Sequence, residues 1–213
     1  MINGSLQNSD FSKEPAYIQE AFLNGRARVV SLKSGTKLFK LSSYTVQEGR
    51  NGFLSPWWSA VDPFEEDKLG ARGRYLEAKA NSVSMREMVR FASAIRIDWN
   101  DIEEYQEIAL QDGAKAYWGG FAPQPAATKV DTSKFSLDSP MSVKDMNAMV
   151  GQMVTNATKR KRLKDMGVYV PDTLGGIEAW QLYIPNLKLA DVKVVPSIPS
   201  HDMAALGLHF SVI

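Results

Sequence analysis

The spacing of apolar positions divides the chain into short elements separated by Gly- and Pro-marked turns. Residues 1–15 are mostly polar and read as a flexible leader. Ala16–Asn24 (AYIQEAFLN) has helical spacing, and Gly25 supplies a stop. Ala27–Lys33 and Lys37–Thr45 partly alternate, as strands do, and Ser34-Gly35 between them predicts a hairpin. Val46–Pro63 holds Gly49, Gly52, Pro56 and Pro63, which predict a loop, yet it carries Phe53, Trp57 and Trp58. Aromatics in such a loop either pin it to a core or line a pocket.

Glu65–Asn81 predicts a helix with Leu69, Arg72, Leu76 and Lys79 on successive turns. Ser84–Phe91 predicts a second, with Ser84 and Glu87 at capping-box spacing. Ala92–Asp98 reads as a strand, Asp101–Glu107 as an acidic helical turn and Ile108–Gln111 as a short apolar run. Ala116–Ala122 reads as a strand whose Gly119-Gly120 pair implies a bulge or a close backbone approach. Residues 123–140, rich in Pro, Ser and Thr, form a linker. From Ser142 to Met166 a helix is predicted, because Met146, Met149, Val150, Met153 and Val154 recur on one face. Ala179–Ile184, Asp191–Val195 and Leu206–Ile213 are extended candidates, with Pro196 and Pro199 between the last two. A regular βαβ alternation is absent. The expected class is α+β, with a mixed or antiparallel sheet and peripheral helices. The expected organisation is a leader and short helix over 1–25, then a single domain over 26–213 with a helical insertion at about 140–167.

Composition narrows the chemistry. There is no cysteine among the 213 residues, which excludes a disulfide framework, thiolate zinc sites and a cysteine nucleophile. The two histidines, His201 and His209, leave little for a His-based triad or metal site, so no metal is expected. Lys and Arg number 25 against 24 Asp and Glu, so bulk attraction to nucleic acid or to an anionic membrane is not expected. No apolar run reaches about 18 residues and the N-terminus has no apolar signal region, which predicts a cytoplasmic protein. Export would need a specialised secretion system. The carboxylate runs Glu65, Glu66, Asp67 and Glu103, Glu104, Glu107 raise a two-carboxylate hydrolase as a further possibility, although such runs are commonly solvated helix faces.

Three segments carry a more specific signal: Leu38-Phe39-Lys40-Leu41, Ser55-Pro56-Trp57-Trp58-Ser59, and the run from Gly175 to Pro185 (GGIEAWQLYIP). In this order they resemble the ADP-ribosyltransferase-like domains of bacterial polymorphic toxins, including the NAD-glycohydrolase branch. The resemblance covers roughly residues 37–125 and 174–196, with Gly119–Gln124 as a further matching stretch. It implies a β core of that type and NAD as substrate. By resemblance Lys40, Ser55, Trp57 and Trp58 bind NAD, and Gln181 and Glu178 are the candidate catalytic residues. Residues three apart on a strand face opposite sides, so only one of the two can face the pocket, and the resemblance implies that it is Gln181. The family's first-strand cation is an arginine, and here it is Lys40, a point charge without the bidentate fork. Gln181 is expected to face a wet cleft and add little to packing, and Trp180 to face the other side. The implied activity is ADP-ribosyl transfer or NAD hydrolysis by a toxin or effector, with a protein acceptor and an immunity or chaperone protein as further partners. The alternative is a non-enzymatic secretion- or phage-associated protein that uses its Met-rich helix at 142–166 to bind a partner.

Overall fold

The computed structural model describes residues 1–96, 99–124, 174 and 179–212. Seven strands are present among them: β1 Arg28–Leu32, β2 Lys37–Ser42, β3 Trp57–Ala60, β4 Glu104–Leu110, β5 Ala114–Gly120, β6 Trp180–Tyr183 and β7 Val192–Pro199. They form one sheet in the order β1-β5-β6-β3-β2-β4-β7, and every neighbouring pair is antiparallel. The helices are α1 Ala16–Gln19, α2 Gly70–Ala80, α3 Met85–Ala92 and α4 Met203–His209. The class is therefore α+β with an antiparallel sheet. No described helix is long and apolar enough to cross a membrane.

All seven strands turn one face onto a single core, which includes Val30, Leu38, Trp58, Ile108, Trp118, Leu182 and Val192. β1 and β7 lie at opposite ends of the strand order yet share this core, so the sheet is rolled over on itself. The link after β1 and the end of β4 meet there, with Gly35 N donating to Leu110 O at 2.8 Å and Leu110 N to Thr36 O at 3.0 Å. The other face is covered in two parts. Phe39, Leu41 and Tyr105 pack against Tyr75, Met85, Val89, Leu206 and Phe210 of α2, α3 and the C-terminal region. Tyr117 and Tyr183 pack against Phe11, Ile18 and Phe22 of the N-terminal segment.

The two edges are built differently. Among the described residues β7 pairs with β4 alone, and it runs through Pro196 and Pro199, with a register shift opposite Gln106. An edge position and an irregular register are where a strand accommodates a residue without an N–H. At the far edge, the outward N–H of Val29 donates to the Asn8 side chain at 2.6 Å.

Several expectations are corrected. Residues 1–15 pack onto the sheet: Phe11 is buried, Asp10 and its neighbours form a 3-10 helical turn, and Asn3 Nδ2 donates to Pro185 O at 2.6 Å. The helix after Pro15 covers only Ala16–Gln19, because the chain turns through Asn24 at a φ of 56°. β1 and β2 do not form a hairpin; Ser34-Gly35 carries the chain from one half of the rolled sheet to the other. Trp57–Ala60 is a strand inside the expected loop. α2 begins only at Gly70, and Leu69, Arg72, Leu76 and Lys79 lie on its exposed side. Its buried side is Gly70, Ala71, Arg74, Tyr75 and Ala78, because Arg74 is neutralised in the core by Asp67 at 2.8 Å. Residues 92–96 form a helix end and turn in place of a strand, with Ala94 at a φ of 52°. The acidic segment from Glu104 is strand β4, not a helical turn. The extended run expected from Leu206 instead begins inside helix α4, Met203–His209, which is capped by the Asp202 carboxylate accepting from Ala205 N at 2.9 Å. α3 forms with the Ser84–Glu87 capping box in place. The helix at 142–166, and with it the linker and insertion, lies outside the described residues, as does Glu178.

Candidate functional site

Strand β3 changes partner halfway along its length. Trp57 and Trp58 pair with Tyr183 and Leu182 of β6, whereas Ser59 and Ala60 pair with Phe39 and Leu38 of β2. Among the described residues, β2 from Lys40 onward keeps only β4 as a neighbour, and Gln181 keeps only β5. The strands splay at this point, and a cavity of about 670 Å³ opens between them. Its wall combines both faces of β3, which neighbouring positions of a regular strand would not offer to one ligand.

Lys40, Ser55, Trp57, Trp58 and Gln181 all line this cavity, although they come from separate parts of the chain. Lys40 is part-buried, and its ammonium lies 4.6 Å from the centre of the Trp58 ring. Loss of hydration on burial pushes its pKa down to about 8. Its ammonium makes no hydrogen bond or ion pair with any described residue. Opposite Lys40 on β4 stands Gln106, fully buried, with neither amide atom hydrogen-bonded to a described residue. Polar groups held dry without partners are costly.

The aromatic wall is firmly set. Trp58 is buried, and its indole N–H donates to Ser55 O at 2.7 Å, which fixes both the ring and the Ser55 backbone. Trp57 packs edge-on against Tyr183 at 4.7 Å and is tilted against Phe22 at 5.8 Å. Ser59 is buried and its hydroxyl donates to Trp180 O at 3.4 Å, bridging β3 to β6 where the ladder has stopped.

Gln181 departs from expectation. It is 3% exposed, and its Nε2 donates to Ala21 O at 2.7 Å. Ala122 N donates to the same carbonyl at 3.0 Å. Gln181 is thus a staple between β6 and the N-terminal segment as well as part of the cavity wall, because Ala21 lies close over the end of β6. Trp180 does face the other way, stacked on Trp118 at 5.5 Å against the main core. The glycine pair acts by close approach: a Cβ on Gly119 would lie 2.7 Å from Arg26 O and from a Phe22 ring carbon.

Five cavity residues of note are absent from the sequence-based set: Tyr17, Glu20, Ser59, Trp99 and Gln124. Ser59 and Gln124 stand inside the quoted motifs. Tyr17 and Glu20 belong to a segment read as peripheral, and Trp99 follows one read as a strand. Tyr17 and Trp99 are 68% and 57% exposed, so each offers a ring at the cavity's edge. The acidic runs do not contribute: Asp67 is paired with Arg74, Glu66 with Arg28 and the Trp118 N–H, and Glu107 accepts from Tyr105 and contacts His209. Among the described residues no cluster of His, Cys, Asp and Glu could hold a metal ion. Family models, curated proteins and solved structures were all compared with the chain, and none matches.

Proposed function

We propose that the cavity binds NAD and that the protein breaks its nicotinamide–ribose bond, passing ADP-ribose to a protein acceptor or to water, as a toxin or effector. The observation that carries this reading is the unpaired Lys40 ammonium in an aromatic-walled cavity of about 670 Å³. That volume falls in the range of about 300–1,000 Å³ in which drug- and cofactor-sized ligands are held. A diphosphate supplies the missing counter-charge for Lys40, and charge-assisted hydrogen bonds are the strong ones. The Ser55 and Ser59 side chains line the same wall, and Trp57 and Trp58 supply rings beside which nicotinamide is kept from water.

In the reaction the bond between ribose C1′ and the nicotinamide nitrogen breaks. Its electron pair stays on nicotinamide, which leaves neutral, and positive charge develops on the ribosyl group. Gln181 shapes the wall at that position through its bond to Ala21. The test is release of free nicotinamide from NAD by the pure protein, with and without a protein acceptor. A kcat/KM that falls by about 100-fold in Lys40→Ala, chiefly through a raised KM as expected on losing a cation that holds the diphosphate throughout the reaction, supports the reading. No turnover and no binding at millimolar NAD would end it and leave the partner-binding alternative.

A further inference from the structure

Among the described residues nine large apolar side chains are exposed, and of these only Tyr17 and Trp99 line the cavity. Trp99 is also the one exposed tryptophan of the five; the other four are buried or half-buried. A ring of that size left in water forgoes the burial that the others obtain. The two rings reach the cavity from opposite sides of the splay. Tyr17 belongs to the N-terminal segment, which packs on Tyr117 of β5 and Tyr183 of β6. Trp99 belongs to the connection between α3 and β4, beside the end of β2.

Neither ring hangs from a slack connection. Arg90 of α3 holds three carbonyls around Trp99: its Nη1 donates to Ile95 O at 3.1 Å and to Arg96 O at 2.9 Å, and its Nη2 to Asn100 O at 2.7 Å. Asn100 Oδ1 accepts from Ser43 Oγ and from Ile102 N, both at 2.7 Å, which ties the far end of the connection to the end of β2. The Arg96 guanidinium lies over one face of the Trp99 ring, 5.0 Å from its centre. On the other side, Tyr17 is followed by the buried Ile18, and the segment runs on to Ala21, whose carbonyl accepts from Gln181 Nε2 at 2.7 Å. Rings that are exposed yet held in place are pre-organised for a partner, because little ordering remains to be lost on binding.

We propose that the mouth of the cavity is a nucleobase seat, in which the adenine of NAD stacks on Trp99 while Tyr17 borders it from the other side. This rests on the NAD reading above. In that reading nicotinamide lies deep, beside Trp57 and Trp58, where water is excluded from the bond that breaks. With Lys40 on the diphosphate, the adenosine half is left to run outward, and the exposed rings at that end are Tyr17 and Trp99. Adenine is planar and uncharged, and a purine face stacks on an indole without any hydrogen-bond readout. Trp99 and Tyr17 therefore determine specificity: they select a dinucleotide over a bare diphosphate and take no part in bond breaking.

The experiment measures Kd by calorimetry for ADP and for inorganic pyrophosphate, two probes that share the diphosphate and differ by the adenosine, together with nicotinamide release from NAD. It uses the full chain as wild type, Trp99→Ala, Trp99→Phe and Tyr17→Ala. Wild type is expected to bind ADP about 10-fold or more tightly than pyrophosphate, on the scale of one base stacked on an aromatic side chain. Trp99→Ala should remove most of that difference by weakening ADP alone, Trp99→Phe should keep it, and Tyr17→Ala should narrow it. In the turnover assay Trp99→Ala should raise KM for NAD by about 10-fold with kcat within about threefold. Both side chains are exposed, so melting temperatures should not move. No ADP binding, equal affinity for ADP and pyrophosphate in wild type, or an ADP preference that survives Trp99→Ala overturns the inference. Nicotinamide release alongside any of these results leaves the NAD reading standing. A wild type that binds ADP as expected but releases no nicotinamide overturns the NAD-splitting reading and keeps the base seat.

Discussion

Lys40 makes stability depend on pH in a window of its own. Burial lowers its pKa from 10.5 to about 8 in the folded protein. The unfolded chain returns it to about 10.4, the value of a hydrated lysine. Between these values the unfolded state binds more protons than the folded one, so stability must rise as pH rises. The contribution is complete above about 10.5 and lost as pH falls to about 8. The interval spans about 2.5 pH units at about 1.4 kcal/mol each, or about 3.5 kcal/mol in all. Tyr117 and Tyr183, whose hydroxyls burial pushes up to about 12, act with the opposite sign once an unfolded tyrosine begins to ionise near 10. The clean window is therefore pH 7.5–9.5, where the expected gain is about 1–2 kcal/mol. Urea unfolding followed by tryptophan fluorescence at constant ionic strength measures it. Lys40→Met keeps the apolar stem against Trp58 and removes the ionisable group, so its profile should be flat across the same window. Parallel profiles for wild type and Lys40→Met would refute the reasoning, because the pH dependence would then belong to another group.

Gln181→Ala should lower stability by about 1 kcal/mol, the net value of one hydrogen bond, seen as a lower urea midpoint; an unchanged midpoint would mean that Ala122 alone holds Ala21. Asp67→Ala leaves the Arg74 guanidinium buried and unpaired and should cost about 3–5 kcal/mol in thermal or urea unfolding, and adding Arg74→Met should recover much of it. Gly119→Ala should cost about 1–3 kcal/mol, because its Cβ would meet Arg26 O and the Phe22 ring at 2.7 Å, and limited proteolysis should cut first within residues 1–25.

What could be read from the sequence was local, and what could not depended on distant pairing. Ser84 and Glu87 lie three positions apart and form their capping box unaided by the rest of the fold. Ser34-Gly35 is chemically a good hairpin turn, but hairpin chemistry does not say which strands a rolled sheet places side by side. The α2 stripe misled because Leu69 and Leu76 are apolar yet outward, while the inward side carries a charge. Only the contact between Arg74 and Asp67 makes that side buriable. β4 was hidden for a related reason: Glu104 and Glu107 belong to a run that is commonly solvated, but the strand is covered on both edges by β2 and β7, and Tyr105 and His209 meet the Glu107 carboxylate. In the cavity, the residues drawn from the strand motifs lie together, since each motif sits on or beside β2, β3 or β6. Glu20 carried no local signal, because its place at the cavity depends on the bond from Gln181, 160 positions away, to its neighbour Ala21.

The treatment of the sheet's two ends has a consequence for how the chain behaves at high concentration. A long antiparallel sheet with a bare terminal strand is a template on which another copy can add, and repeated addition leads to aggregation. Here the prolines of β7 remove donors from one terminal strand and its altered register spoils the spacing a newcomer would need. At the other end Asn8 occupies the Val29 donor. Trimming the first residues would therefore do more than loosen the core: it would uncover β1 and turn a self-limited sheet into one that recruits its own kind.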